Sequence, residues 1–189
     1  MIRTLIALIG LIFVAVAAQA QEAAPPANII VIDFDRVSRE SLVGQDISAQ
    51  MQSNQLNLEN HARNVQQSLG EEQSELRQQQ SILDQETYRQ RVAQFQQKMQ
   101  QEQESIQELQ QLARQAMQQA NLEVQRALRP ITRSLMEEKS ANIVLDKALV
   151  AHHASGLDVT TEAISRLDEA MSSYNVNLPA IPSSSSSGG

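Results

Sequence analysis

The side chains best suited to chemistry are an adjacent pair, His152-His153, and four carboxylates, Asp33, Asp35, Asp146 and Asp158. Imidazoles are good ligands for zinc and similar ions, but a metal site needs three or four donors converging on one point. Neighbours on a strand point to opposite faces, and the chain has no cysteine to complete a set. The pair therefore reads as a strand end in water, and no metal is assigned. Paired carboxylates can act as general acid and base, yet each of these four stands at the end of a predicted strand or helix. There an Asp side chain accepts hydrogen bonds from backbone N–H groups. Capping is their expected role. Serines are plentiful, but none sits in a nucleophile elbow, and no Gly-rich loop is present to cradle a phosphate. The sequence offers no catalytic site and implies no cofactor; it reads as a non-enzyme.

The information lies instead in the spacing of apolar residues. From 45 to 129 there is no proline and one glycine, Gly70, with glutamine as the main filler. A Gln-rich tract can be disordered, but Ile47, Met51, Leu58, Ala62, Val65, Leu69, Leu76 and Leu83 step by helical intervals. So do Val92, Phe95, Met99, Ile106, Leu109, Ala113, Ala120 and Val124. Two amphipathic helices are predicted. The pattern fails between Leu83 and Val92, where Asp84 offers an N-cap and Glu86 an acidic first turn. In an antiparallel hairpin, facing residues have a constant index sum. A sum of 171 pairs Ile47 with Val124, Met51 with Ala120, Leu58 with Ala113, Leu76 with Phe95 and Leu83 with Tyr88. The expectation is a helical-hairpin arm over 45–129 with its tip near 84–87. One unbroken helix is the competing reading, and the complementary sums favour the hairpin.

The ends of the chain read differently. Residues 1–20, with Arg3, an apolar run and Ala18-Gln19-Ala20, have the pattern of a cleaved signal peptide, followed by a linker over 21–27. The β-branched run at 28–33 predicts a strand, 34–41 a short helix, and Gly44 a break before the arm. Pro130 is expected to mark the joint where the second helix leaves the arm. Beyond it, a helix to residue 140, two short strands at 142–146 and 148–152 and a last helix near 161–172 complete a small body over 28–44 and 130–173. The Ser-rich stretch 174–189 is expected to be a disordered tail. Without cysteine there is neither a lipid anchor nor a disulfide, so packing alone must hold the protein together. The net charge of −7 becomes −8 once Arg3 is removed, which argues against nucleic acid as a partner. Trp is absent and aromatics are few, so no large globular core is being built. Three short strands left open would expose their edges, and self-association would cover them.

This layout resembles the Skp/OmpH family of periplasmic chaperones over nearly all of the chain after residue 20. The resemblance is carried by Ile29-Ile30-Val31-Ile32-Asp33 through Arg36-Val37, by Gly44, by the coiled arms, by the 142–146 strand after a helix containing Pro130, and by Leu157-Asp158-Val159-Thr160. It implies an α+β fold, mainly α, with a long antiparallel helical-hairpin arm on a small β-containing body that trimerises through an intersubunit barrel. It also implies an ATP-independent holdase for unfolded outer-membrane β-barrel proteins, soluble in the periplasm of a Gram-negative bacterium, with the client in a cavity between the arms of a homotrimer. The chain departs from the family in charge: its best-known members are basic, whereas this one is acidic, with mixed charge on its arms. Electrostatic capture of lipopolysaccharide or anionic membrane is therefore not expected.

Apolar residues left outside the pairing scheme, Leu56, Ile82, Leu112, Met117, Leu122 and Leu128, widen the stripe of each arm helix. They are the candidate client contacts, shallow and adaptable, with packing between arms as the competing role. The alternative function is a structural or adaptor coiled coil of the cell envelope that binds one folded partner.

Overall fold

The computed structural model describes residues 26–182; the expected signal peptide, most of the linker and the end of the tail lie outside the described residues. The chain begins with β1 (Ile29–Ile32), followed by α1 (Phe34–Glu40), α2 (Leu42–Gln79) and α3 (Gln85–Glu138). Then come β2 (Ile143–Asp146), single 3-10 turns at Lys147–Leu149 and Ser155–Leu157, and α4 (Thr160–Ala170). The molecule is mainly helical, with one small two-stranded sheet.

Each start has a local cause. Asp33 caps α1 by accepting from Arg36 N at 2.8 Å, which leaves β1 wholly β-branched, as a buried strand prefers. Ser41 separates α1 from α2: its N–H closes α1 onto Val37 O at 3.1 Å, and its hydroxyl accepts from Gly44 N at 3.2 Å. The first N–H of α2, on Leu42, donates to Asp168 Oδ1 of α4 at 2.7 Å. Helix α2 thus has orphan donors satisfied both locally and from across the body. Gly44 is not a break. It lies in the first turn of α2, where a Cβ would come within 1.9 Å of Ser38 O; glycine is needed there for close approach of two backbones, not for a turn.

Helix α2 runs through Gly70 and α3 runs unbroken through Pro130, so the proline marks no end of the helix. The interruption between them occupies residues 80–84, slightly ahead of the expected 84–87. Asp84 caps α3, with Oδ1 accepting from Glu86 N at 3.1 Å and Thr87 N at 3.0 Å. The two helices pack side by side. Leu76 and Phe95 are buried, Glu72 Oε2 accepts from Lys98 Nζ at 2.7 Å, and Gln79 Oε1 accepts from Arg91 Nη1 at 3.2 Å.

Strands β1 and β2 are parallel, with Ile30 opposite Val144 and Ile32 opposite Asp146. On its other side β1 meets the segment before α4: Val159 N donates to Val31 O at 3.0 Å. The core is where these pieces converge, with Ile32, Val37, Val43, Ala120, Leu135, Ala163 and Leu167 almost fully buried. Helix α3 ends at Glu138, and two residues on Ser140, with a φ of 51°, turns the chain. Ala141 N then returns to Met136 O at 2.8 Å, and Asn28 Nδ2 donates to the terminal carbonyls of Lys139 and Ser140. This is a helix stop in the left-handed region.

Two further expectations are corrected. Residues 148–152 form no strand: Asp146 Oδ1 accepts from Ala148 N at 3.0 Å and bends the chain into the 3-10 turn. The stretch 174–182 is not a loose tail. It lies on α2, with Val176 buried in the core and the backbone of Tyr174 and Val176 bonded to Asp46 and Gln50.

Candidate functional site

Most of the carboxylates singled out from the sequence are engaged in structural bonds. Thr160, fully buried, accepts from Asp33 N at 2.9 Å and donates to Asp158, whose other oxygen receives Lys147 Nζ at 2.8 Å. Burial pushes the Asp158 carboxyl up, but the bonds from Lys147 and Thr160 outweigh it and hold the group well below the usual carboxylate range. Asp33, Asp146 and Asp158 thus each serve backbone or neighbouring side chains, and Asp35 stays exposed in the first turn of α1. His152 is exposed, while His153 Nε2 lies 4.0 Å from Asp158 Oδ2. No group of His, Asp or Glu able to hold a metal is found among the described residues.

On the outer face of the body, Arg166 forks between Glu138 at 2.6 Å and Glu162 at 2.7 Å, and Lys139 meets Glu162 at 3.0 Å. The hydrogen bonds from Arg166 and Ser134 draw the Glu138 carboxyl down to about 2. Lys139, with Arg166, also lowers Glu162. These ion pairs tie α4 to the end of α3; nothing about them is aimed at a substrate.

The long helices present a different surface. Leu56 is 53% exposed, Ile82 78%, Leu112 40% and Leu122 49%. Four of the six apolar residues singled out from the sequence therefore lie on the surface, spread singly along α2, the 80–84 connection and α3. The other two do not. Leu128 is only 6% exposed and belongs to the core, and Met117 packs against that core. Both line the wall of a groove of about 820 Å³ with Phe34, Val124 and Thr132. Their helical phase resembles that of their neighbours; what separates them is that α1 and the body close over this end of α3. Met99, placed in the seam by its spacing, is 46% exposed instead. A smaller groove of about 460 Å³ lies between the long helices, lined by Met51 and Leu58 of α2 and Gln110 and Ala113 of α3.

Sequence reasoning missed His61. It is 8% exposed, with neither ring nitrogen bonded, in a wall formed with Asn54, Asn57 and the overlying Pro179, Ile181 and Pro182. The signal that was available is the polar spacing Asp46, Gln50, Asn54, Asn57, His61, one face of a helix by its 3- and 4-residue steps.

No helix among the described residues is long and apolar enough to cross a membrane. Isolated apolar side chains on long polar helices make a surface for many weak contacts rather than a pocket for one ligand. The family model described as outer membrane protein (OmpH-like) matches residues 28–167. No curated protein matches the chain. Among solved structures, it is similar to an OmpH-like outer membrane chaperone from Caulobacter crescentus CB15, at 18% identity and a TM-score of 0.76. The likeness covers 82% of this chain and 92% of that one; at that identity it speaks for the fold.

Proposed function

Because the chain belongs to the OmpH-like outer membrane protein family, we propose that it is a periplasmic holding chaperone that keeps unfolded outer-membrane β-barrel proteins from aggregating, without nucleotide or catalysis. The observation that carries this reading is the row of single exposed apolar residues, Leu56, Ile82, Leu112 and Leu122, set among Gln and charged side chains on two long helices and the connection between them. Each contact is weak. Many together retain an unfolded chain, and folding of the client, by removing its apolar surface, releases it.

In this reading α2 and α3 form an antiparallel hairpin arm. It is supported by their cross-links: Glu72 with Lys98 and Gln79 with Arg91 both have an index sum of 170, so one helix descends as the other rises. The body is the trimerisation unit. Among the described residues β1 is flanked on both sides, whereas the outer edge of β2 has no partner strand, and Ile143 of β2 and Leu149 just after it are exposed. A sheet edge of that kind calls for cover from another chain, and three copies would enclose a space between their arms. Residues 1–20 would direct export and be removed.

The test is dilution of a urea-unfolded outer-membrane β-barrel protein into buffer with and without the purified chaperone at near-stoichiometric trimer. Light scattering should be suppressed. Unchanged scattering, or a solution mass of one chain, would overturn the reading.

A further inference from the structure

Residues 174–182 follow α4 and belong to no helix or strand, yet they are held to α2 by bonds between its side chains and their backbone. Asp46 Oδ2 accepts from Tyr174 N at 3.0 Å. Gln50 spans the next step, with Nε2 donating to Tyr174 O at 2.8 Å and Oε1 accepting from Val176 N at 3.0 Å. Two donors two residues apart on one side is the alternation of an extended chain, read here by side chains one helical turn apart. The bonds involve only main-chain atoms of the tail, so they carry no sequence requirement beyond an N–H in the right place.

Higher on the same face the match fails. Leu178 N folds back to Val176 O at 2.8 Å, and the segment over His61 contains Pro179 and Pro182, which have no N–H to give. His61 is left buried with both ring nitrogens unbonded, beside a cleft of about 380 Å³ walled by Asn54, Asn57 and Asn60. A buried polar group without a partner is costly. The tail therefore satisfies the lower end of a polar row and leaves His61, at its upper end, wanting a donor or acceptor.

We propose that Asp46, Gln50, Asn54 and His61 line a binding site for the main chain of an extended polypeptide, that residues 174–182 are its resident occupant, and that an unfolded client displaces them. The proposal rests on the holdase reading for the client's identity, and it adds main-chain recognition to the apolar contacts. A client strand with N–H groups where the tail has proline reaches His61 as the tail does not, which gives the exchange its direction. Main-chain recognition also suits a holder that must accept many sequences.

The experiment uses the full chain and, as probe, reduced and carboxymethylated α-lactalbumin, a permanently unfolded polypeptide. Hydrogen exchange of the Tyr174 and Val176 amides is followed with and without the probe, with Val31 and Ile32 as controls for the body. Bound probe should speed exchange at Tyr174 and Val176 and leave the controls protected. Val176→Ser, which weakens the tail's anchor, should raise probe affinity by about threefold to tenfold, because a competing occupant lowers apparent affinity by its own occupancy. Gln50→Ala should cancel that gain and should itself release the Val176 amide, which bonds Gln50 Oε1, while the Tyr174 amide keeps Asp46. Probe binding with unchanged protection at Tyr174 and Val176 overturns the proposal and leaves the holdase reading standing. Failure to bind the probe, together with failure to suppress aggregation of the β-barrel protein, overturns both.

Discussion

Glu72 on α2 and Lys98 on α3 meet at 2.7 Å across 26 positions of sequence, each side chain about one-third to one-half exposed. An ion pair so open to water adds little stability; its value is positional, since it fixes which turn of α2 stands beside which turn of α3. Stability must then come from buried apolar contacts, in the body and between α2 and α3, and the exposed faces of α2 and α3 are available for substitution.

Replacing Leu56, Ile82, Leu112 and Leu122 together by serine tests that division. Each is at least 40% exposed, so the change in unfolding free energy should stay within about 0.5 kcal/mol per site. Suppression of β-barrel protein aggregation should fall severalfold. Full holding activity in a stable quadruple variant would refute the apolar-contact mechanism.

Gly44→Ala and Gly70→Ala should act in opposite directions, though both glycines lie within α2. A Cβ at 44 meets Ser38 O at 1.9 Å, whereas one at 70 has nothing within 4 Å. Denaturant titration should show Gly44→Ala losing about 1–3 kcal/mol through overpacking. Gly70→Ala should gain roughly 0.5–1 kcal/mol from reduced backbone freedom in the unfolded chain.

Thr160→Val removes a hydroxyl that is fully buried between Asp33 N and Asp158. Shape is nearly preserved, but a backbone donor and a carboxylate each lose a partner. The expected cost is about 1–3 kcal/mol, read as a lowered denaturant midpoint, with faster amide exchange at Asp33 than at Val37.

Acid should loosen the junction of α3 and α4. Glu138 titrates near 2 in the folded protein against an ordinary 4.5, because Arg166 and Ser134 bond its charged form. A carboxyl whose folded value is depressed contributes stability in full above its unfolded value and loses it as pH falls through the folded one. The contribution should therefore fade between about pH 4.5 and 2. Glu138→Gln should flatten the pH dependence of the melting temperature in that window, by a modest amount because the pair is exposed. An unchanged profile would show that Arg166 does not hold this group in solution.

What could be read from sequence was whatever repeats along it. The helical phase of residues 45–129 shows in the spacing of Leu, Ile and Ala, and the start of α3 was visible in Asp84 because a cap is a local event. Features set by long-range contact were not legible. Gly44 resembled a helix breaker and is a point where Ser38 O approaches the backbone. The break sits at 80–84, not 84–87, because α2 stops at Gln79 while α3 starts at once behind its cap, an asymmetry that a constant index sum ignores. Leu128 carries the same phase as its neighbours, but the body covers it. The Ser-rich end of the sequence hid the order of 174–182, which depends on Asp46 and Gln50 more than 120 positions away.

The parallel pairing of Ile30 with Val144 also has a consequence in time. Strand β1 precedes β2 in the chain by more than a hundred positions, so at about 5–20 residues per second it is synthesised on the order of ten seconds earlier. During that interval a wholly β-branched strand has no partner. Closing so long a loop from a random chain is slow, but each turn of α3 that zips onto α2 shortens the distance left to search. A chain ending before residue 143 therefore presents β1 as an unpaired strand, the kind of edge that favours aggregation.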